Sequence, residues 1–290
     1  LRQEGLEVLL VTSGAVAAGR QALGQPKSRP DVPFRQMLAA VGQSRLMHTY
    51  EEMFGHHNVL VAQALLTHAD ISDRQGYLNV RDSLLGLLEM GVIPIINEND
   101  VVTSEEISDE VFGDNDTLSA LVSNLVDADL LVMLGDTVGL YTADPALHRE
   151  AQLIDRVDKI DQTIRNLAKE EERHPWSRGG IAAKLEAARL ATSWGVAVVV
   201  AGGREPDVLT DVAAAKKRGT FFSPSASKME SRRRWLLSGL STRGEIMVDD
   251  GAAVALRSQH RSLLPAGVVE VHGDFDRQDV VLIVDRQGQK

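Results

Sequence analysis

Cysteine is absent from all 290 residues, which removes disulfides, thiolate zinc sites, iron–sulfur clusters and cysteine nucleophiles together. That usage fits a reducing, cytoplasmic setting. No signal-peptide pattern opens the chain. No apolar run approaches the ~18 residues that cross a bilayer; the longest resemble the "VAVVV" of Val196 to Val200, so a soluble protein with no membrane association is expected. An excess of positive charge is missing too. The formal net charge is −10 and the dense basic cluster is the "SRRRW" of Ser231 to Trp235, so a polyanion such as RNA is not an expected partner. The eight histidines are scattered, and the adjacent His56 and His57 lack a helical metal-ligand spacing, so no metal ligands are assigned.

What is present describes a globular chain. Hydrophobic residues at 43% and charged residues at 25% allow a packed core, and the length suits one large α/β domain with a smaller one. The first residue is Leu, and "LRQEGLEVLLVTSG" reads as the tail of a helix, a turn at Gly5 and a strand. A βα unit is therefore expected upstream, and the chain looks trimmed.

Short β-rich apolar runs alternate with longer Ala/Leu-rich helical patterns, which predicts an open, mainly parallel sheet sandwiched by helices. Strands are expected at 7–11, 59–65, 92–96, 130–134 and 197–201. Amphipathic helices are expected at 34–54, 78–91, 116–128 and 184–195, where apolar residues recur at i, i+3, i+4 and two helices end at Gly. After Ser223 the texture becomes polar, Ser-rich and basic, placing a domain boundary near Ser238. Residues 1–238 then form the α/β domain, and residues 239–290 a small, incomplete β-rich module with one short helix.

Five polar clusters fall where strands end and helices begin, the level at which open parallel sheets bind ligands. In "VLLVTSGAVAAG" a strand runs into Thr12, Ser13 and Gly14 ahead of an Ala-rich helix. Gly14 and Gly19 have P-loop spacing, but Arg20 and Gln21 stand where that motif needs Lys and Ser/Thr. Taken alone, Ser13 reads as a helix N-cap. After "VIPIIN", Asn97, Glu98, Asn99 and Asp100 crowd together more densely than a solvated turn requires. In "GDNDTLSALV", Asn115 or Asp116 could cap a helix, but one cap is enough and other polar groups are left over. Gly135 and Asp136 end a fourth strand. In "SRGGIAAKLEAARLA" a Gly pair precedes Lys184, a cation in a first helical turn that opposes the local dipole unless an anion binds there. Together these describe a site for a nucleotide, its metal and a small polar substrate.

The segments "VTSGAVAAGRQALG", "AAVGQSRLM", "PIINENDVV", "FGDNDTLSALV", "GLYTADP" and "KLEAARLA" resemble, in order and over nearly the whole chain, the glutamate 5-kinases of the amino-acid kinase family. The module with "SLLPAGV" at Ser262 to Val268 resembles their PUA domain. The resemblance implies the amino-acid kinase fold and transfer of the γ-phosphoryl group of ATP, with Mg²⁺, to the side-chain carboxylate of L-glutamate. It implies that Ser13, Asp100 and Asn115 hold glutamate and that Asp116 orients the catalytic lysines. Gly135, Asp136, Gly179, Gly180, Ile181 and Lys184 match nucleotide-contacting positions, with Lys184 stabilising the transferring phosphoryl group; Asp114 has no assigned role. It further implies a homo-oligomer and makes proline a candidate feedback inhibitor at or beside the glutamate pocket.

Arg178, Ile181 and Gly135 depart from the family's usual Thr, Met and Thr. The family's opening strand, with its Lys-x-Gly-Ser/Thr motif, is not in the sequence, so the 290 residues alone are expected to phosphorylate glutamate far more slowly than a version with that strand restored. The same fold serves acetylglutamate kinase, aspartokinase and uridylate kinase. A different class of protein would use the PUA-like tail on RNA and the kinase-like domain only as a glutamate or proline sensor. The tail mixes Arg257, Arg261 and Arg277 with Asp249, Asp250, Asp274, Asp276 and Asp279 and forms no basic stripe.

Overall fold

The computed structural model describes residues 1–27, 31–102, 115–145, 147–171, 180–225, 244–259, 261–275 and 281–287. The chain divides into two units, Leu1–Ser231 and Arg232–Lys290. The expected boundary near Ser238 lies outside the described residues.

In the first unit, Leu10–Val11 (β1), Val61–Leu66 (β2) and Ile93–Glu98 (β3) form a parallel ladder in the order β1-β3-β2, with Leu10 and Gln63 both opposite Ile95. Leu130–Gly135 (β4), Arg156–Val157 (β5), Ala197–Gly202 (β6) and Thr220–Phe222 (β7) form a second ladder in the order β4-β6-β7-β5. Its β4–β6 and β5–β7 pairs are parallel and β6–β7 is antiparallel, so the pairing is mainly parallel, as expected.

The helices of this unit are Ala15–Ala22 (α1), Val32–Gly55 (α2), His68–Ser72 (α3), Arg74–Glu89 (α4), Asn115–Leu125 (α5), Gln162–Glu171 (α6), Ile181–Ser193 (α7) and Val208–Ala213 (α8). They cover both faces of the strands. On β6, Val198 and Val200 enter a core with Leu185, Ala188 and Ala191 of α7, while Val199 and Ala201 pack with Val208 and Val212 of α8. A strand buried on both faces needs apolar residues at every position, which is why it reads as an unbroken Val/Ala run.

Helix boundaries move to wherever a cap sits. α2 starts at Val32 rather than Phe34 because Asp31 accepts from the Phe34 N–H at 2.8 Å. α4 starts four residues before the expected Leu78 because Asp73 accepts from the Gly76 N–H at 2.8 Å. α3 is a single short helix made by a capping box between Thr67 and Asp70. β1 is shorter than the expected 7–11, since only Leu10 and Val11 pair with β3.

The close approach of α1 and α2 bears on the site. A Cβ at Gly19 would lie 1.8 Å from the Leu38 carbonyl oxygen, and one at Gly42 would lie 1.8 Å from the Ala15 carbonyl oxygen. Only glycine allows these two backbones to meet, and the contact seats the middle of α2 beside the first turn of α1.

The second unit contains Gly244–Val248 (β8), Asp250–Gln259 (α9), Val268–Gly273 (β9) and Val281–Asp285 (β10). β8 is central, antiparallel to β9 and parallel to β10. Arg257 of α9 bonds Asp285 at the end of β10 at 3.0 Å. This is the small β-rich module with one short helix that the sequence suggests.

Candidate functional site

The carboxyl ends of β1 and β3 are neighbours, because the Thr12 N–H donates to the Ile96 carbonyl at 2.9 Å. Ser13 follows Thr12 into the turn before α1. Its expected role as N-cap is not observed: the cap position is Gly14, at φ 110°, with no side-chain cap bond. Ser13 is exposed, so its hydroxyl is available for a ligand. Thr12 is buried, and its Oγ1 lies 2.7 Å from the Tyr50 hydroxyl of α2.

At the end of β3, Asn97 is 2% exposed and both ends of its amide are engaged. Its Oδ1 accepts from the Glu98 N–H at 2.9 Å and its Nδ2 donates to Gln43 Oε1 of α2 at 2.9 Å. Asp100 lies in the turn three residues on. Partial burial pushes its carboxyl above the ordinary value of 3.8, while the nearby Arg35 guanidinium pulls it down. Burial outweighs the cation, so the free site disfavours the carboxylate form, and an arriving ammonium group would favour it.

α5 joins the two ladders, packing against β1, β3, β4 and α7. Its first turn lies at the carboxyl end of β4, because Asp116 bonds Lys184, whose stem passes over Gly135, the last residue of that strand. The first two residues of α5, Asn115 and Asp116, both fall inside the helix rather than at the position before it, which lies outside the described residues. Asn115 Oδ1 is buried with no hydrogen-bond partner among the described residues.

Asp116 is committed to Lys184. The Lys184 Nζ lies 2.7 and 2.8 Å from the two Asp116 oxygens, with side-chain exposures of 10% and 14% for Lys184 and Asp116. Lys184 is the fourth residue of α7, where the helix field opposes a cation, and Asp116 supplies the compensating negative charge. Beneath it lies Gly135, the last residue of β4. A Cβ there would be 2.8 Å from Lys184 Cε, so the departure from Thr at this position leaves room for the lysine stem.

Gly180 is the N-cap of α7 with extended backbone, while Gly179 and Arg178 lie outside the described residues. Ile181 does not present its side chain to a ligand. It is 3% exposed within the core, so only its backbone at the helix start could face a phosphate. Asp136 stands apart from the Lys184–Asp116 pair, with its side chain 89% exposed and 3.3 Å from the 90% exposed Arg204.

Two groups escaped the sequence reading. Gly202 and Gly203 follow β6 beside β4, with the Gly203 N–H donating to the Gly135 carbonyl at 2.8 Å. They carry the signal used elsewhere, a Gly pair straight after a strand. Gln43 and Tyr50 come from the middle of α2, where a polar residue in a long helix gives no positional signal of its own.

The arrangement can hold two unlike ligands. One half offers a hydroxyl, a half-buried carboxylate and amides, suited to a small zwitterion. The other offers a nearly buried lysine, glycine backbone and a helix N-terminus, suited to a polyphosphate. Among the described residues no group of three His, Asp or Glu side chains could cage a metal ion. No described helix is long and apolar enough to cross a membrane.

Comparison with known proteins gives concordant results. The amino acid kinase family model matches residues 1–202 and the PUA domain model matches residues 244–290. A glutamate 5-kinase of Dehalococcoides mccartyi is 51% identical over 290 residues, covering all of this chain and 78% of that protein. The glutamate 5-kinase of Herpetosiphon aurantiacus is 51% identical over 289 residues, covering 77% of its length. That of Moorella thermoacetica is 48% identical over 286 residues, covering 99% of this chain and 75% of its own.

Proposed function

This chain belongs to the amino acid kinase family, among its glutamate 5-kinases, and on that premise we propose that it phosphorylates the side-chain carboxylate of L-glutamate with ATP, the first step of proline biosynthesis. The observation that carries the reading is the Lys184–Asp116 pair at the N-terminus of α7, set over Gly135 and one residue from Asn115.

In the reaction a glutamate carboxylate oxygen forms a bond to the γ-phosphorus while the bond from that phosphorus to the bridging oxygen breaks, leaving glutamyl 5-phosphate and ADP. Such transfer passes through a loose transition state with negative charge on the equatorial oxygens. The Lys184 ammonium meets that charge, and Asp116 fixes where the ammonium points by holding it at both oxygens. Asp100 and Asn115 Oδ1, the latter unpartnered among the described residues, accept from the substrate's α-ammonium, while Ser13 donates to a carboxylate oxygen and helps orient the attack. The backbones of Gly135, Gly180 and Ile181 approach the nucleotide phosphates, and Asp136 lies at the rim of that half.

Mg²⁺ would neutralise phosphate charge during transfer. It fits a site with few acids, because this ion keeps its waters and is usually held by one or two carboxylates plus the phosphates themselves. Proline shares the α-amino acid end of glutamate, which supports inhibition at or beside Ser13 and Asp100.

The test is ADP release by the purified chain with L-glutamate, N-acetylglutamate, L-aspartate or UMP as acceptor, with the acyl phosphate trapped by hydroxylamine. Release and hydroxamate formation are expected with glutamate. Turnover of aspartate or UMP in preference to glutamate would keep the fold and overturn the substrate.

A further inference from the structure

Gln43 has one end of its amide engaged and the other free. Asn97 Oδ1 is already accepting from the Glu98 N–H at 2.9 Å, so the group Asn97 presents to Gln43 must be its NH₂. Gln43 therefore receives that bond on Oε1 and turns its own NH₂ the other way. That nitrogen is buried and has no acceptor among the described residues. A buried donor without a partner is unfavourable in the free protein and is relieved when an acceptor arrives.

The position of this donor is fixed at three points along α2. Gly42, the preceding residue, is pressed against the Ala15 backbone, two residues past Ser13. Gln43 itself bonds Asn97, three residues before Asp100. Tyr50 meets Thr12, the residue before Ser13, at 2.7 Å. Gln43 thus sits between the turn that carries Ser13 and the loop that carries Asp100.

We propose that Gln43 is a substrate-contacting residue whose Nε2 donates to a carboxylate oxygen of the bound amino acid, and that Asn97 is the positioning residue that holds the amide in this orientation. The proposal rests on reading the site as a glutamate pocket. A dicarboxylate brings four acceptor oxygens to a site where Asp100 serves only the ammonium, and a neutral amide binds a carboxylate without neutralising it as a nucleophile. A site with such a donor discriminates against an acceptor that lacks the matching oxygen.

The test compares the full chain with Gln43→Glu and Gln43→Ala, by calorimetric titration of L-glutamate and by KM for glutamate and for ATP. Gln43→Glu keeps an acceptor for Asn97 and replaces only the donor, so a purely structural role predicts unchanged glutamate affinity. The proposal predicts weaker glutamate binding by about 100-fold for Gln43→Glu, through carboxylate repulsion, and by about tenfold for Gln43→Ala, with the KM for ATP within about twofold. Should Gln43→Glu fail to fold, Gln43→Ala reads the same quantity. Unchanged glutamate affinity in either folded variant overturns the role of Gln43 while leaving the kinase reading intact. A parent chain that does not bind glutamate overturns the glutamate reading, and this proposal with it.

Discussion

Among the described residues, Lys184 owes its place to one ion-pair partner. Asp116 binds its ammonium at both oxygens, and Gly135 leaves the gap that the lysine stem fills. Lys184→Met keeps the stem and deletes the charge. Steady-state kinetics should then show kcat lower by about 10²–10³ with the KM for glutamate nearly unchanged, the signature of a group used in the transition state. A loss confined to KM would place Lys184 in substrate binding instead. Asp100 makes a prediction in pH. Burial raises its carboxyl above 3.8 and Arg35 opposes that shift, so the folded chain holds this proton more tightly than the unfolded chain does. The ionised, half-buried carboxylate therefore counts against stability above the raised pKa, and that cost disappears as pH falls below 3.8. Binding runs the other way, because the charged carboxylate holds an ammonium much more strongly than the neutral acid does. The KM for glutamate should rise as pH falls through the raised pKa, and Arg35→Met should move that inflection upward; an unmoved inflection would dissociate Arg35 from the site.

Between α1 and α2 the fit is made by the absence of side chains. The Cβ of Gly42→Ala would meet the Ala15 carbonyl oxygen, which is backbone and cannot rotate away. Urea unfolding should show a loss of about 1–3 kcal/mol or more, as for other overpacked contacts. Since α2 also presents Gln43 and Tyr50 to Asn97 and Thr12, the same substitution should raise the KM for glutamate. Unchanged stability would mean that the two helices separate freely. At the C-terminal end of α5, Arg81 from the middle of α4 donates to the Leu125 carbonyl and pairs with Asp127 at 2.6 Å. This anchors the C-terminus of the helix whose first turn carries Asn115 and Asp116.

On the scale of the whole chain, charge argues against nucleic acid. Residues 244–290 contain five basic and eight acidic side chains, and Arg257 is already paired with Asp285. Mobility-shift titration with structured RNA at about 200 mM salt should show no complex, since phosphate binding depends on released counterions. A persistent complex would require a basic surface that the described residues of this unit do not display. The match of a PUA domain model to residues 244–290 gives the unit its family without giving it a ligand.

Strands buried on both faces announce themselves as apolar runs: 130–134 and 197–201 lie within observed strands and 92–96 overlaps β3 from Ile93 onward, because their pattern depends on nothing distant. Lys184 was legible for a related reason: a cation in the first turn of a helix is a local electrostatic conflict that needs a partner. The identity of that partner was not local. Asp116 is 68 residues away, and only the packing of α5 on α7 brings the two together. Nor could the chain alone show β7 turning antiparallel, since three residues carry no directional pattern, or Gln43, whose amide acquires a direction only from Asn97 across 54 residues. Periodicity and propensity are properties of neighbours in sequence; ion pairs, orphaned donors and backbone contacts are properties of neighbours in space.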